Sequence, residues 1–249
     1  LDDARTLTHR FFRLDMTVSD KQIREIRDGY LEPKGEWATS RVQRVLDAAS
    51  VQPGERVLDL ACNMGTFSYH TRQYGTRPIA VDRNYTALVE GREISTIVGA
   101  YAAPRVQSDA LNLPFLDATF DIVINADFIE HTPGKAKLPI FQETYRVLKK
   151  GGRTVVYSPN LNKIRWELLG ERIKRTVFLR SGPVPRWEDF VDPDHFGLTT
   201  PWKTAWRMRR AGLNRPPAIS TTTSPDSPGF PPLQDSLAPC FQLSSPNDF

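Results

Sequence analysis

Small and acidic residues form a turn between an apolar segment and a helical pattern near position 60. Residues 57–65 read Val-Leu-Asp-Leu-Ala-Cys-Asn-Met-Gly. Small residues let the backbone approach a ligand closely, and the amino end of the following helix offers unpaired N–H groups. Asparagine is the non-glycine residue that readily takes the left-handed conformation, so Asn63 suits such a turn. The segment therefore predicts a ligand-binding loop with five contributing residues: Asp59, which can also cap the helix, Ala61, Cys62, Asn63 and Gly65.

Two further aspartates follow apolar segments and suit the polar groups of a nucleoside. Asp82 ends the segment 78–82 and can accept hydrogen bonds from both ribose hydroxyls. It lies about 20 residues beyond the turn, the separation expected in a nucleoside-binding unit. Asp109 ends the segment 105–109 and can accept a hydrogen bond from an adenine amine, while the N–H of Ala110 can donate to a ring nitrogen. The three loops together predict a site for an adenosine-containing ligand.

Strand and helix patterns alternate from position 56 onward. Short apolar strands separated by helices are typical of a parallel sheet covered on both faces. Strands are predicted at residues 56–61, 78–82, 105–109, 120–126 and 153–158, with helices at 65–74, 85–98 and 137–149. Gly151 and Gly152 are expected to end the last of these helices. Two late strands, at 218–223 and 239–244, complete a predicted α/β fold with a Rossmann-like, doubly wound, mostly parallel seven-stranded sheet.

The remaining segments flank or interrupt this alternation. Helices are predicted at residues 19–32, 40–49, 162–179 and 200–211. The helix at 162–179 mixes apolar and basic residues, which favours a solvated amphipathic face and leaves a lid or a surface for anionic lipid as alternatives. The chain is predicted to form a single domain of four parts: N-terminal helices at 1–52, a core at 53–158, a substrate-lid insertion at 159–198, and a C-terminal helix with the last strands at 199–249.

Composition narrows the classes of protein that the chain can represent. It has 249 residues, 39% of them hydrophobic and 25% charged, as in ordinary globular proteins. No apolar run approaches the roughly 20 residues of a transmembrane helix. Two cysteines, Cys62 and Cys240, favour reduced thiols and a cytoplasmic location. The net charge of +4 is too small to indicate a nucleic-acid partner by itself. The chain begins with Leu1, so an upstream segment remains open, as does the oligomeric state, for which a homodimer is one option.

The order of these segments resembles the class I SAM-dependent methyltransferase family, in its branch of small enzymes that includes ubiquinone-type, sugar and natural-product methyltransferases. The family's first motif is an acid followed by spaced glycines, and here Ala61 and Asn63 stand where glycine is usual. Further matches are the acids Asp82 and Asp109, Leu113-Pro-Phe115, the fourth-strand segment 120–131 ending in Glu130-His131, the segment 146–152, Ser158-Pro-Asn160 and Ala211-Gly-Leu213. The resemblance covers roughly residues 40 to 160.

The resemblance implies a cofactor, an acceptor and a set of site residues. The cofactor is S-adenosyl-L-methionine (SAM), with S-adenosyl-L-homocysteine as product. The methyl acceptor is an oxygen or nitrogen of a small molecule, such as a secondary metabolite, a sugar or a lipid-linked compound. The implied cofactor-binding residues are Asp59, Ala61, Cys62, Asn63, Gly65, Asp82, Arg83, Asp109, Ala110, Asn125 and Ala126. Candidates for a general base are His131, His195 and Glu130, and candidates for acceptor contacts are Tyr157, Asn160, Trp166 and Trp187. No cluster has metal-ligand spacing, so no metal is expected.

Three other functions compete with this interpretation. A nucleotide-dependent dehydrogenase would favour an intact Gly-x-Gly-x-x-Gly turn, which residues 61–65 lack. A nucleic-acid methyltransferase directed at amines would carry Asn- or Asp-Pro-Pro-aromatic after the fourth strand, where this chain has Asn125-Ala-Asp-Phe128. Arginines between 165 and 186 keep an RNA substrate as a secondary option. A non-catalytic SAM-binding module is compatible with the substituted glycines.

Overall fold

The structure is a computed structural model that describes Glu25, Asp28, Leu31 and residues 34–100, 102–177, 184–213 and 240–242. The helices are α1 (Glu36–Ala49), α2 (Thr66–Gln73), α3 (Tyr85–Ile97), α4 (Lys137–Val147), α5 (Leu161–Val177) and α6 (Pro201–Arg210). The strands are β1 (Arg56–Leu60), β2 (Arg77–Asp82), β3 (Arg105–Gln107), β4 (Phe120–Ala126), β5 (Leu148–Tyr157) and β6 (Cys240–Gln242). Short 3-10 turns lie at Ile129–His131 and Trp187–Asp189.

The strands form one sheet in the order β3-β2-β1-β4-β5-β6. The first five pair in parallel, and β6 runs antiparallel to β5. The strand order reverses between β1 and β4, and in such sheets ligands bind outside the carboxyl ends of the strands at this reversal. The α/β, Rossmann-like, mostly parallel fold is therefore confirmed. The described residues form six strands instead of seven, because the strand expected at 218–223 lies outside them.

Helices cover both faces of this sheet, as its strands require. On one face, α1 and α2 pack on Val57, Ile122 and Val155, and α3 packs nearby through Leu88 on Ala80. On the other face, α4 and α6 pack on Leu58, Val123 and Val156, with α6 contributing Ala205 and Met208. Apolar side chains thus point both ways from each central strand, which explains why successive residues of these strands are apolar in the sequence.

The fifth strand begins earlier than predicted. Helix α4 ends at Val147, and β5 starts directly at Leu148, so Gly151 and Gly152 lie inside the strand and do not end the helix. The register between β4 and β5 shifts there, from Phe120 opposite Leu148 to Ile122 opposite Arg153. Gly151 has φ 77°, and a Cβ on Gly152 would lie 2.9 Å from the Lys149 carbonyl oxygen. The two glycines therefore serve an irregular, bulged strand.

The insertion after β5 contains α5 and a loop that returns to α6. A parallel bridge joins Asn160, just before α5, to Thr199, just before α6. The Thr200 hydroxyl then caps α6 by accepting from the Lys203 N–H. Whether this insertion acts as a lid stays a prediction. The helix expected at 19–32 and the end of the one expected at 162–179 lie mostly outside the described residues.

No helix among the described residues has the length and apolar composition needed to cross a membrane.

Helix α3 approaches the β1–α2 turn so closely that only glycine fits at the contact. A Cβ on Gly91 would lie 2.8 Å from the Met64 carbonyl carbon and 2.8 Å from a terminal nitrogen of Arg105. Gly91 therefore determines how closely α3 packs against the β1–α2 turn, which is the predicted ligand-binding loop.

We expect Gly91→Ala to lower the free energy of unfolding by about 1–3 kcal/mol, because overpacking against backbone costs that much. Helix propensity alone would favour alanine by about 1 kcal/mol, so a net loss identifies the steric contact as dominant. Urea denaturation measures the difference. The matched control is Gly134→Ala, where the nearest atom to an added Cβ is 3.8 Å away. A Gly91→Ala protein as stable as the Gly134→Ala protein would contradict the packing described.

Candidate functional site

The turn after β1 has the left-handed backbone that its sequence suggested. Ala61 has φ 57°, Asn63 φ 50° and Gly65 φ 93°, so every second residue is left-handed. Between them, Cys62 donates its backbone N–H to the Val81 carbonyl at 2.9 Å, and Gly65 donates to the Cys62 carbonyl at 2.8 Å. The backbone thus folds tightly at the carboxyl end of β1, beside the reversal in strand order. Burial raises the pKa of the Cys62 thiol, so Cys62 remains protonated.

Asp59 supports this turn from beneath. It is buried, and one carboxylate oxygen accepts hydrogen bonds from the Ser68 N–H at 2.8 Å and the Ser68 hydroxyl at 2.7 Å. Burial raises the pKa of Asp59 to about 6, while the bonds to Ser68 and the charge of Arg105 oppose that rise. Asp59 therefore accepts hydrogen bonds from the first turn of α2, as expected for a residue that caps this helix. As a cofactor-binding residue it would act through the shape of the turn.

Asp82 connects the turn to the carboxyl end of β2. One carboxylate oxygen accepts from the Asn63 N–H at 2.9 Å, and the other accepts from the Asn84 N–H at 2.8 Å. A carboxylate has about four acceptor positions, so two backbone bonds leave capacity for the two hydroxyls of a ribose. The side chain is half-buried.

The third predicted loop follows β3. Asp109 is exposed, and its carboxylate accepts from the Leu111 N–H at 2.9 Å, while Ala110 is buried. The Ser108 N–H donates to the Asp82 carbonyl at 3.0 Å, which ties this loop to the ribose-side acid. Arg83 is exposed, and its carbonyl accepts from the Gln107 side chain. The three loops therefore lie side by side along the edge of the sheet, as the sequence predicted.

Asn125, near the reversal in strand order, has a buried side-chain amide that forms no hydrogen bond with the described residues. Its side chain is 1% exposed, and neither its amide nitrogen nor its amide oxygen has a hydrogen-bond partner within the described chain. Buried amides without partners are costly, so such a group marks a place where a ligand completes the bonding. Ala126 follows it, half-buried. With the left-handed turn and Asp82, this observation fits an adenosine-containing cofactor that also carries polar groups beyond the nucleoside.

A second group of side chains lies beyond the carboxyl end of β4. Glu130 is 1% exposed, and neither of its carboxylate oxygens accepts a hydrogen bond of ordinary geometry from the described residues. The rings of His131 and His195 meet edge to face with centroids 4.8 Å apart. Nδ1 of His131 lies 3.0 Å from the Asp194 carbonyl oxygen, which holds the ring in place. The fold thus joins two residues that are adjacent in sequence to one that lies 64 positions later.

Hydrogen bonds to main-chain atoms hold the loop carrying His195 against the 3-10 turn that follows β4. The Gly197 N–H donates to the Glu130 carbonyl at 2.6 Å. The buried Lys137 ammonium donates to the Gly197 carbonyl at 2.7 Å and also to the Ile129 carbonyl. A Cβ on Gly197 would lie 2.6 Å from the Glu130 carbonyl oxygen, so glycine is required for this approach.

Burial and neighbouring charges shift the titration of this group. Burial, with a smaller contribution from Asp127, raises the pKa of Glu130 to about 7, while its own N–H, Ser158 and Lys137 oppose the shift. Burial, followed by His131, lowers the pKa of His195. Burial raises the pKa of Asp127 against the opposing charge of Arg41, with which Asp127 forms an ion pair. Glu130 can therefore exchange a proton near neutral pH.

Glu130, His131 and His195 carry atoms that could coordinate a metal ion. One ligand atom each from Glu130, His131 and His195 lies within 4.8 Å of the others. Sequence spacing did not show this group because His195 is remote along the chain. The expectation that no metal is bound stays a prediction.

The four predicted acceptor residues lie in different environments. Tyr157 is buried in the core beside α1, and its contact with an acceptor stays a prediction. The Asn160 side chain accepts from the Asn162 N–H at 3.0 Å at the start of α5. Trp166 is 70% exposed on α5. Trp187 lines a cavity of about 420 Å³ beside α5.

Several residues that shape the site were not singled out from the sequence. Arg105 donates to the Met64 carbonyl at 3.1 Å behind the turn, and Arg41 pairs with Asp127 from α1. Gly91, Lys137 and Gly197 form the close contacts described above. A lysine among apolar residues of a helix is a weak signal in the sequence, and the other four carried none that distinguishes them from surface or turn residues.

A family model described as a methyltransferase domain matches residues 58–156. A demethylmenaquinone methyltransferase of Beutenbergia cavernae is 37% identical over 112 residues, covering 45% of this chain and 43% of that protein. The ubiquinone/menaquinone biosynthesis C-methyltransferase UbiE of Haemophilus ducreyi is 36% identical over 115 residues, covering 45% and 44%. An uncharacterized protein of Haemophilus influenzae is 28% identical over 67% of this chain and 66% of its own. The chain thus spans less than half of the two quinone methyltransferases.

Solved structures share the fold at lower identity. The PH0226 protein from Pyrococcus horikoshii superposes with a TM-score of 0.55 and 23% identity, covering 78% of this chain and 90% of that one. A SAM-dependent methyltransferase from Archaeoglobus fulgidus gives 0.53 and 21%, covering 76% and 73%. The segment that the family model matches includes most of β1 and all of β2 and β4. It also includes the Ala61–Gly65 turn, Asp82 and Glu130. Residues 58–156 are thus similar to a methyltransferase domain, and the chain shares its fold with solved structures that include a SAM-dependent methyltransferase.

Proposed function

We propose that the protein transfers a methyl group from SAM to an oxygen or nitrogen of a small-molecule acceptor. The observation that carries the proposal is the arrangement at one edge of the sheet: a left-handed turn bonded to Asp82 lies next to a buried carboxyl group and two imidazoles beyond β4. The first part suits an adenosine-containing cofactor, and the second suits proton transfer to or from an acceptor.

Each loop takes one part of the cofactor in this proposal. Asp82 accepts from the ribose hydroxyls, Asp109 and the Ala110 N–H meet the adenine edge, and Asn125 bonds to the amino-acid end. The Ala61–Gly65 turn supplies backbone at close approach. When bound, SAM supplies a methyl group made electrophilic by its sulfonium.

The acceptor lies beside Glu130, His131 and His195 in this proposal. A hydroxyl acceptor would lose its proton as the methyl group moved from sulfur to its oxygen, with S-adenosyl-L-homocysteine as the leaving group, so a nearby base would lower the barrier. An imidazole of His131 or His195 takes that proton, and buried Glu130 stabilises the resulting charge or relays the proton. A neutral amine would need only a dry, ordered pocket. The relatives named as C-methyltransferases make carbon the alternative nucleophile, and it too would need a proton removed.

Lys137, Gly197 and Arg41 act as positioning residues. Lys137 and Gly197 hold the His195 loop on β4, and Arg41 fixes Asp127, whose φ is 52°. Their contacts are with main chain or with another side chain, so they set the distance between the imidazoles and Glu130 without needing to touch the acceptor.

The direct test incubates the protein with SAM carrying a labelled methyl group and an extract separated into small-molecule, lipid and macromolecular fractions. Label in the small-molecule or lipid fraction supports the proposal. Label only in macromolecules would favour an RNA or protein acceptor. Tight SAM binding with no label in any fraction would favour a non-catalytic SAM-binding module.

Asp82→Asn is expected to weaken SAM binding by about 1.5–3 kcal/mol, roughly 10- to 150-fold, because hydrogen bonds to a charged group are worth about that much. Isothermal calorimetry measures the affinity. Asp47→Asn, on the exposed side of α1, is the matched control and should bind SAM as the wild type does. Unchanged affinity in Asp82→Asn would remove Asp82 from the cofactor site.

His131→Ala and His195→Ala separate proton transfer from cofactor binding. Loss of a general base is expected to lower kcat about 10²- to 10⁴-fold in one of the variants, with the Kd for SAM unchanged. Parallel assays with a metal chelator test the expectation that no metal takes part, since a required ion would make wild-type activity sensitive to the chelator. Full activity of both variants would leave positioning of the acceptor as the main source of catalysis.

Glu130→Gln is expected to change how stability depends on pH. Burial raises the folded-state pKa of Glu130 from 4.5 to about 7, so ionisation of Glu130 opposes folding. The stability that protonated Glu130 gives the folded protein is fully present below about pH 4.5 and is lost as the pH rises through about 7. Glutamine cannot ionise, so the variant should exceed the wild type in free energy of unfolding by about 2–3 kcal/mol at pH 8, and by little at pH 5.

Denaturant titrations at the two pH values measure this effect. Glu188→Gln, on the exposed 3-10 turn, is the control for the change of side-chain type. Equal pH dependence of Glu130→Gln and the wild type would mean that Glu130 ionises freely in the folded protein.

A further inference from the structure

Helix α5 exposes an apolar and basic face that the proposed chemistry does not use. Its exposed residues recur every three or four positions and so lie on one side of the helix. They are Arg165, Trp166, Leu169, Arg172, Ile173 and Thr176. Trp166 is 70% exposed, Ile173 51% and Leu169 44%. The outward face of a soluble helix is normally charged or polar, so a tryptophan with two aliphatic residues in line there indicates a binding surface.

The charges on this helix are separated by face. Its two glutamates are half-buried and form ion pairs along the helix, Glu167 with Lys163 and Glu171 with Lys174. Neither Arg165 nor Arg172 has an acidic partner among the described residues, and Arg172 only donates Nε–H to the Pro185 carbonyl, at 3.1 Å. The exposed face is therefore positive as well as apolar.

A cavity of about 420 Å³ opens along the same face. It is lined by Leu161, Leu168, Leu169 and Trp187, with the two guanidinium groups of Arg165 and Arg172. Cavities of this size hold small molecules or parts of larger ones. Apolar walls with two arginines match a ligand that has both a hydrocarbon part and a phosphate.

Helix α6 presents the same chemistry and begins next to α5. The Leu161 N–H donates to the Thr199 carbonyl at 3.4 Å, so the two helices start side by side. The exposed residues of α6 are Trp202, Lys203, Trp206, Arg209 and Arg210. The guanidinium of Arg210 lies over the Trp206 ring, 5.0 Å from its centroid. Two neighbouring helices thus expose tryptophans and cations and no carboxylate.

We propose that the outward face of α5, with the cavity beside Trp187, binds the surface of an anionic phospholipid membrane. Arg165 and Arg172 contact lipid phosphates, and Trp166, Leu169 and Ile173 enter the boundary between headgroups and acyl chains. Tryptophan prefers this boundary, and each basic residue near an anionic leaflet adds attraction. Amphipathic helices with apolar and basic residues bind membranes by these two contributions together.

The position of α5 connects this surface to the acceptor. The helix begins four residues after Tyr157, the last residue of β5, and β5 pairs with β4, whose carboxyl end leads to Glu130. Membrane binding would therefore bring the acceptor side of the protein to the lipid surface. Resting on the proposed function, this makes a membrane-dissolved or lipid-linked molecule the class of acceptor.

The test measures co-sedimentation of the whole chain with phosphatidylcholine vesicles, with or without phosphatidylglycerol. We expect binding to the vesicles that contain phosphatidylglycerol, weakened by added salt because the attraction is partly electrostatic. Arg165→Glu/Arg172→Glu should reduce binding about 30-fold or more. Trp166→Ser/Ile173→Ser should reduce it while leaving the charge unchanged. Arg77→Glu, an exposed arginine at the amino end of β2, is the matched charge control and should bind vesicles nearly as well as the wild type does.

The outcomes are distinguishable from those for methyl transfer. SAM affinity, measured on every variant, shows whether the fold and the cofactor site are intact, and it should not change. No binding to the phosphatidylglycerol vesicles, or equal binding by the arginine variant and the wild type, would overturn the membrane proposal even if methyl transfer is observed. Binding to an RNA oligonucleotide in place of vesicles would also overturn it and assign the face to nucleic acid. Vesicle binding by a protein that fails to bind SAM would support the surface and contradict the proposed function.

Discussion

The site depends on a backbone constraint at the end of β1: the chain must reverse within five residues while its N–H groups remain ordered. Left-handed backbone at Ala61, Asn63 and Gly65 makes the reversal possible. A non-glycine residue in that conformation costs free energy, and contacts on several sides compensate for it. Asp59 holds the helix that follows, Asp82 holds the Asn63 N–H, and Gly91 lets α3 pack against Met64. Asp59 and Asp82, at the ends of the first two strands, are thus structural supports as well as candidate ligand contacts.

A second constraint acts just beyond the end of β4, where Glu130 and Lys137 are both buried. Glu130 is surrounded by Asp127, Lys137, His131 and His195, and its ionised form is disfavoured by burial. Buried carboxyl groups with a raised pKa are common at sites where protons are exchanged. Lys137 stays buried beside Glu130 because its ammonium donates hydrogen bonds to two carbonyl oxygens.

Sequence patterns predicted those parts of the structure that depend on local chemistry. The apolar strands, the order of the loops, Asp82 and the left-handed turn all follow from neighbouring residues. The start of β5 was misplaced because a glycine pair is compatible with both a helix end and a bulge, and only pairing with β4 distinguishes them. Arg105 bonds 41 positions away, Lys137 60 and Arg41 86. No local pattern carries such contacts, so the environment of the acceptor site had to come from the fold.

The loop that carries His195 contributes main-chain atoms to its attachment beyond β4: the Gly197 N–H donates to the Glu130 carbonyl, the Gly197 carbonyl accepts from Lys137, and the Asp194 carbonyl lies beside Nδ1 of His131. Main-chain atoms are present whatever the side chain is. These contacts do not involve the side chains of Asp194 and Phe196, so these two positions can change while the loop keeps its place beside Glu130. Under the proposed function, substitutions at these positions would alter the surroundings of the acceptor while Glu130 and the two imidazoles keep their arrangement, so this loop is where related proteins could diverge in substrate and where redesign could begin.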